Sequence, residues 1–531
     1  MTSTIDMAHQ ALDGRSTERL AELLAGWLPE QRWFGGKGRE IQSVVLSSCL
    51  AAPQVADDNG DEVRLWHVLA EVTYRDGAAN GETPQTYQVF VGARRSLPDR
   101  LRHAAIGGPE SAVAELGGHC YDGLHDAHLA AWLLERIADR DSVGPLRFDR
   151  LAGQVLRTDL RALVLTGEQS NTSLVYGDQY IAKVFRRPAP GRSPELELGL
   201  ALAVAESPHI APPIGWAEFD AAALDGAELG QQNPGQQSQG SPNLSEQHRL
   251  GEQHRLGGLV IDEPVTLLTL QPFLPSATDG WALALTSVRD LFAAEPDVSA
   301  ARAGADFGPE AHRLGMATAR VHRALAATLP TGWLAPEDLE RLADGMRRQL
   351  EMTARQVPQL RPYAPGLAEA IDRLAALGGP LPVQRVHGDY HLGQAMRTVT
   401  GWILLDFEGE PTRSLAERRA PASPLKDIAG MLRSFDYAAH HLLGTMSTLA
   451  DQPPAATELM TARAGEWAAR NRDAFCRGYA EVLGYDPRAE SAVLRAFEID
   501  KAVYEVGYEA ANRPSWLPIP LNACARLSAR L

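Results

Sequence analysis

The sequence predicts an α+β protein in which two small sheet-bearing units precede a long, mainly helical half. Three observations lead there: strand-like runs confined to the first half, helical stripes filling the second, and a chain too long for one ordinary domain. With 531 residues, 44% of them hydrophobic and 22% charged, the chain carries enough apolar material for two or three cores and has a globular composition.

Ser16 and Thr17, ahead of Leu20, Leu23, Leu24, Trp27 and Leu28, predict a hydroxyl-capped helix stopped by Pro29. Two runs rich in β-branched and aromatic residues, Val63 to Tyr74 and Thr86 to Val91, flank a Gly/Asn-rich stretch from Asp76 to Pro84 and predict antiparallel strands. Helical spacing returns from Asp126 to Ile137. Leu163 to Leu165, Leu174 to Tyr176 and Tyr180 to Phe185 then predict short strands, with a turn at Gly177-Asp178. From Ala221 to Gly258 the composition shifts to Gly, Gln, Asn, Pro and Ser. The hexapeptide Glu246 to Gly251 recurs at once as Glu252 to Gly257, which predicts an inserted disordered loop and accounts for His248 and His254 without a metal. Beyond Trp281, stripes around Ser287 to Phe292, His312 to Leu325, Leu339 to Val357 and Trp467 to Val482 predict the helical half. The expected division is 1–110, 111–273 with the insert at 221–258, and 274–531.

A formal charge of −16, from 51 Lys plus Arg against 67 Asp plus Glu, argues against nucleic acid and anionic membrane as partners. The four cysteines lack CxxC spacing, so neither zinc nor a disulfide framework is predicted. Met1 to Gly14 lacks a basic-then-apolar leader, and no apolar run approaches the roughly 18 residues of a membrane span, so a cytoplasmic location is expected.

The chemistry concentrates in Val386-His387-Gly388-Asp389-Tyr390-His391-Leu392-Gly393-Gln394 and in Asp406-Phe407-Glu408-Gly409-Glu410. A kinase needs a carboxylate to take the acceptor hydroxyl's proton, and an amide oxygen and a second carboxylate to hold magnesium. Asp389 stands where the base is required. Gln394, Asp406 and Glu408 stand where Mg2+ ligands are required, and His387 is read as shaping the loop. For the phosphates of ATP, Lys183 lies on a predicted strand behind the polar turn Glu168 to Ser173, whose Ser170, Asn171, Thr172 and Ser173 offer donors. Glu197 is the first choice to hold Lys183, with Glu195 the alternative, and Gln271 and Phe273 complete the ATP set. For the acceptor, Tyr504 and Tyr508 share a helix face with Trp516 beyond, and Glu505 and Arg433 supply polar partners.

The HGDxHxGQ and DFEGEP motifs resemble those of aminoglycoside phosphotransferase-like kinases, and more closely those of actinobacterial maltokinases. Gln31 to Lys37, Lys183 to Arg187, Ser287 to Phe292, Glu417 to Pro421 and Asp500 to Leu521 extend the resemblance, with Ala511 standing where maltokinases usually carry Arg. The resemblance implies a protein-kinase-like bilobal fold with an N-terminal α+β cap subdomain, a small β-sheet nucleotide lobe and a mainly α-helical C-terminal lobe. It further implies ATP-dependent phosphorylation of maltose to maltose 1-phosphate for α-glucan synthesis, with trehalose synthase as a partner. A glucosamine or other small-sugar or aminoglycoside kinase is the second reading. A catalytically inert scaffold is the third, opposed by the joint presence of Lys183, Asp389, Gln394 and Asp406.

Overall fold

The computed structural model describes residues 12–220 and 263–529, apart from 53–54, 58–59, 80–81, 109–111, 166–169, 412 and 447–453, together with 255–256 and 259–260. The disorder expected for the insert, and the turn residues Glu168 and Gln169, therefore lie outside the described residues. The chain forms two compact units, Met1–Leu196 with Pro212–Leu274, and Glu197–Ala211 with Pro275–Leu531.

In the first unit, helix α1 (Gly14–Trp27) is capped by Asp13, whose carboxylate accepts from the Ser16 N–H at 2.8 Å. The hydroxyl expected to cap at Ser16 is instead buried inside the first turn, because a carboxylate three residues earlier already takes the free N–H. An antiparallel sheet follows, made of β1 (Ile41–Ala51), β2 (Val55–Ala56), β3 (Glu62–Tyr74), β4 (Gln85–Arg94), β5 (Ala112–Val113) and β6 (Gly118–Asp122). Its order is β1-β3-β4-β6-β5, with β2 beside β3, so it extends to Asp122. Sequence reading assigns no strand to β1, whose serines and two register shifts break the alternation. Trp66, Val68, Ala70 and Val72 pack with α1, while Leu65, Leu69 and Phe90 pack with helix α2 (Ala127–Asp139) and the second sheet. Burial on both faces explains why β3 reads as one nearly unbroken apolar run.

The second sheet contains β7 (Ser142–Val143), β8 (Leu146–Arg150), β9 (Ala162–Leu165), β10 (Asn171–Tyr176), β11 (Tyr180–Phe185), β12 (Gly215–Phe219) and β13 (Val265–Pro272), ordered β7-β8-β12-β13-β11-β10-β9. The segment from Arg32 to Lys37 packs against the residues that follow β11: the Arg186 guanidinium lies 4.6 Å from the Trp33 ring, and a Cβ at Gly35 would meet the Arg187 guanidinium. Arg186 is buried and is also ion-paired with Asp122.

Helix α3 (Pro194–Val204) carries the chain into the second unit. There a three-stranded sheet of β14 (Thr278–Asp279), β15 (Ala395–Arg397) and β16 (Trp402–Leu404) accompanies helices α4 (Gly280–Ala293), α5 (Gly308–Thr328), α6 (Pro336–Gln356), α7 (Ala364–Ala375), α8 (Leu425–Met446), α9 (Pro454–Leu483), α10 (Ser491–Asn512) and α11 (Pro518–Ser528). Ile428, Leu432 and Phe435 of α8 are buried among Trp467, Phe475 and Val503. Helices α5 and α9 touch backbone to backbone, since a Cβ at Gly315 would overlap the Phe475 carbonyl and one at Gly478 the His312 carbonyl. All four cysteines are free, and no helix among the described residues is long and apolar enough to cross a membrane.

Candidate active site

In the first unit Lys183 stands on β11, paired in register with Ser173 on β10 and Thr269 on β13. Its Nζ lies 2.8 Å from Glu195 Oε2, and Gln271 donates to the other oxygen of Glu195 at 3.3 Å. The lysine partner is thus Glu195, not Glu197. Successive positions on a helix point about 100° apart, so residues two apart face nearly opposite ways. Glu197 turns instead to Arg385 at 2.7 Å and Arg419 at 3.3 Å in the second unit. The expected phosphate-covering turn is also corrected. Asn171, Thr172 and Ser173 are buried strand residues laddered to β11, and the Thr172 hydroxyl accepts from Arg186 Nε at 2.8 Å. Ser170 lies just ahead of that strand, and Phe273 follows β13 with its N–H donating to the Gln179 carbonyl at 2.8 Å.

In the second unit the loop at 387–394 is held by buried polar groups. Asp427, in the first turn of α8, accepts from the His387 N–H at 2.8 Å, the Gly388 N–H at 2.9 Å and His322 Nε2 at 3.0 Å. Burial acts to raise the Asp427 pKa, but these bonds prevail and hold it below the ordinary carboxylate value. Leu392 N–H donates to Ser434 Oγ at 3.0 Å, and a Cβ at Gly430 would collide with the Tyr390 carbonyl, so α8 lies directly against the loop. His387 Nε2 donates to the Leu405 carbonyl at 2.7 Å, and the ring lies beside Phe407, which ties the loop to the segment after β16.

Asp406 adopts φ +61°, a left-handed conformation that Asp tolerates better than most residues. Its Oδ2 accepts from Gln394 Nε2 at 2.9 Å, so two of the expected magnesium ligands meet. Glu408 lies two residues on, its backbone carbonyl accepting from Arg418 at 3.1 Å. Carboxylate and amide oxygens are the donors a hard divalent cation takes, so this set fits Mg2+.

Asp389 lines a cavity of about 510 Å³ together with Trp281, His391, Glu410, Tyr437, Lys501, Tyr504, Glu505, Tyr508, Glu509, Arg513 and Trp516. Lys501 Nζ lies 2.9 Å from Asp389 Oδ1. Burial acts to raise the Asp389 pKa, but Lys501 and, less strongly, His391 outweigh it, leaving a carboxylate ionised at neutral pH. Tyr504 and Tyr508 stack with ring centres 6.2 Å apart, and the Arg513 guanidinium lies between Tyr508 and Trp516 at 5.3 and 4.2 Å. Arg433, expected to bind acceptor, does not line the cavity. It is 1% exposed and spends its donors on Glu505 at 2.6 and 3.0 Å and Asp436 at 2.8 Å, so it supports the wall from behind. Lys501, a cavity residue paired with Asp389, is one that sequence reasoning missed; its only signal was a shared helix face with Glu505. Ala511 is exposed and outside the lining.

Residues 27–126 match the maltokinase N-terminal cap domain, and residues 300–410 match the phosphotransferase enzyme family. Two curated relatives are named glucosamine kinase. One, from Streptacidiphilus jiangxiensis, is 29% identical over 49% of this chain and 57% of its own length. The other, from Mycolicibacterium smegmatis, is 29% identical over 49% of this chain and 62% of its own. The chain thus spans about three fifths of the length of these relatives. The solved structure of a glucosamine kinase in complex with glucosamine, ADP and inorganic phosphate superposes with a TM-score of 0.60 at 20% identity, covering 96% of this chain and 98% of the other. The fold is therefore that of the solved kinase, and along the chain a segment that matches the maltokinase N-terminal cap domain precedes one that matches the phosphotransferase enzyme family.

Proposed function

We propose that the protein is an ATP-dependent kinase that phosphorylates a sugar hydroxyl. The reading is carried by Asp389, an ionised carboxylate lining an aromatic cavity of a size that takes a small molecule. Asp389 orients the acceptor hydroxyl and accepts its proton as that oxygen attacks the γ-phosphorus. Lys183, braced by Glu195, holds nucleotide phosphates. Gln394, Asp406 and Glu408 hold magnesium, which when bound neutralises the charge spreading over the transferring phosphoryl oxygens. Asp406→Ala is expected to weaken magnesium-ATP binding on the order of 10–100-fold, the range for disturbed metal sites. Titration showing wild-type affinity would remove Asp406 from the ligand set.

The finer reading is maltose as acceptor and maltose 1-phosphate as product. Trp281, Tyr437, Tyr504, Tyr508 and Trp516 offer ring faces for a sugar longer than one ring. Every carboxylate on the wall already faces a cation: Asp389 with Lys501, Glu410 with Arg413, Glu505 with Arg433 and Glu509 with Arg513. That pairing favours a neutral sugar over one bearing an ammonium. The match to the maltokinase cap domain agrees. Glucosamine is the second reading, favoured by the names of both relatives. Measuring kcat/KM for maltose, glucose and glucosamine decides. Maltose preferred over glucosamine by more than about tenfold supports the first reading, and the reverse preference overturns it while keeping the kinase. ATP consumption with none of a broad sugar panel would overturn the kinase.

A further inference from the structure

Gln88, on β4, is fully buried, with 0% exposure, and its side chain reaches the second sheet. The amide Nε2 donates to two carbonyls at once, Phe185 at 2.9 Å and Leu267 at 3.0 Å. Phe185 ends β11, two residues beyond Lys183. Leu267 lies on β13, four residues before Gln271. The β11–β13 ladder runs as far as Val184 opposite Leu268, so the amide bridges the two strands one residue past the last pair. The Gln88 N–H also donates to the Arg186 carbonyl at 2.9 Å. The amide is itself oriented by His67, whose Nε2 lies 2.8 Å from Gln88 Oε1. His67 is buried, and burial pushes its pKa down to about 4, so the neutral ring donates one N–H and turns the amide NH2 toward the carbonyls.

We propose that Gln88 is a positioning residue for nucleotide binding, a clip through which the cap domain fixes the strands carrying Lys183 and Gln271 without touching nucleotide. The inference rests on the kinase reading above. Lys183, Glu195 and Gln271 form one linked group, with Lys183 bonded to Glu195 and Glu195 to Gln271. The strands that carry Lys183 and Gln271 each present a carbonyl, Phe185 and Leu267, to the same amide. Without the clip the two carbonyls lose their shared donor, and the strands part there until other donors reach them. Small displacements of a positioned group have large effects on binding and rate.

The test compares Gln88→Met, which keeps the length and removes the donors, with His67→Phe, which keeps the amide and removes its orienter. Magnesium-ATP affinity is measured by titration, KM for ATP and for the sugar by steady-state kinetics, and folding by thermal midpoint. The expected result for Gln88→Met is a rise of about tenfold in both Kd and KM for ATP, with the sugar KM and kcat within about twofold of wild type. His67→Phe shifts the same two constants by less. A merely structural role would lower the thermal midpoint and the active fraction and leave both KM values alone, and that result overturns the proposal. So does a rise shared equally by ATP and sugar. If Gln88→Met fails to fold, His67→Phe decides by the same constants. If the wild type binds ATP but phosphorylates no sugar, the kinase reading falls, and the change in Kd between wild type and variant still decides on the clip.

Discussion

Asp389→Asn protein is expected to bind magnesium-ATP like wild type and to turn over about 10²–10⁴-fold more slowly, the range lost with a general base. The amide preserves the shape of the carboxylate but cannot take the acceptor's proton as the new oxygen–phosphorus bond forms. On the proposed reading nucleotide contacts lie on other residues, so affinity for ATP is spared. Because Lys501 keeps the Asp389 pKa below the ordinary carboxylate value, the wild-type carboxylate is ionised throughout the neutral range. Its contribution fades only as pH falls through that lowered value. The deficit of the variant is therefore expected to be constant across neutral pH. Steady-state turnover within about tenfold of wild type, in protein shown to be folded, would remove Asp389 from the role of base.

Arg433→Met is expected to destabilise the helical unit by on the order of 3–5 kcal/mol, the cost of breaking a buried ion pair from one side. Methionine fills the stem's volume but leaves Glu505 without its guanidinium. Asp436 fares better, because Arg526 at 2.6 Å and Arg472 at 3.7 Å remain. Burial already pushes the Glu505 pKa upward against the pull of Arg433, and removing Arg433 raises it further. A carboxyl whose folded pKa is raised favours the folded state when protonated, and that contribution is lost as pH rises through the folded pKa. The loss in the variant should therefore be larger at neutral pH than under mildly acidic conditions. Denaturant midpoints of wild type and variant at both pH values check this, and an equal loss at both would mean that the orphaned carboxylate is not the cause.

The order of sheets and helices was legible in the sequence because both signals are periodic and local. The candidate site was legible as far as its spacing goes: Gln394 and Asp406, singled out together, do meet, and Asp389 does line a cavity. What stayed hidden depended on distance in space or on the angular position around a helix. Glu195 and Glu197 are two letters apart, yet one grips Lys183 and the other Arg385. Lys501 reaches Asp389 across 112 positions of sequence, and nothing near Lys501 in the chain signals that contact. Arg433 was correctly grouped with Glu505 but sits one layer too deep to meet a ligand. Strand β1 escaped because serines and bulges erase its alternation.

The reciprocal contact of Gly315 and Gly478 bears on how this chain can vary over time. Each glycine admits the other helix's main chain, so a methyl group added at either position forces both helices apart. Separation would open gaps along α5 and α9, around the core residues Trp467 and Phe475 that α9 itself contributes. The two positions therefore act as one packing constraint, and a larger residue at either is accommodated only if the two helices move apart.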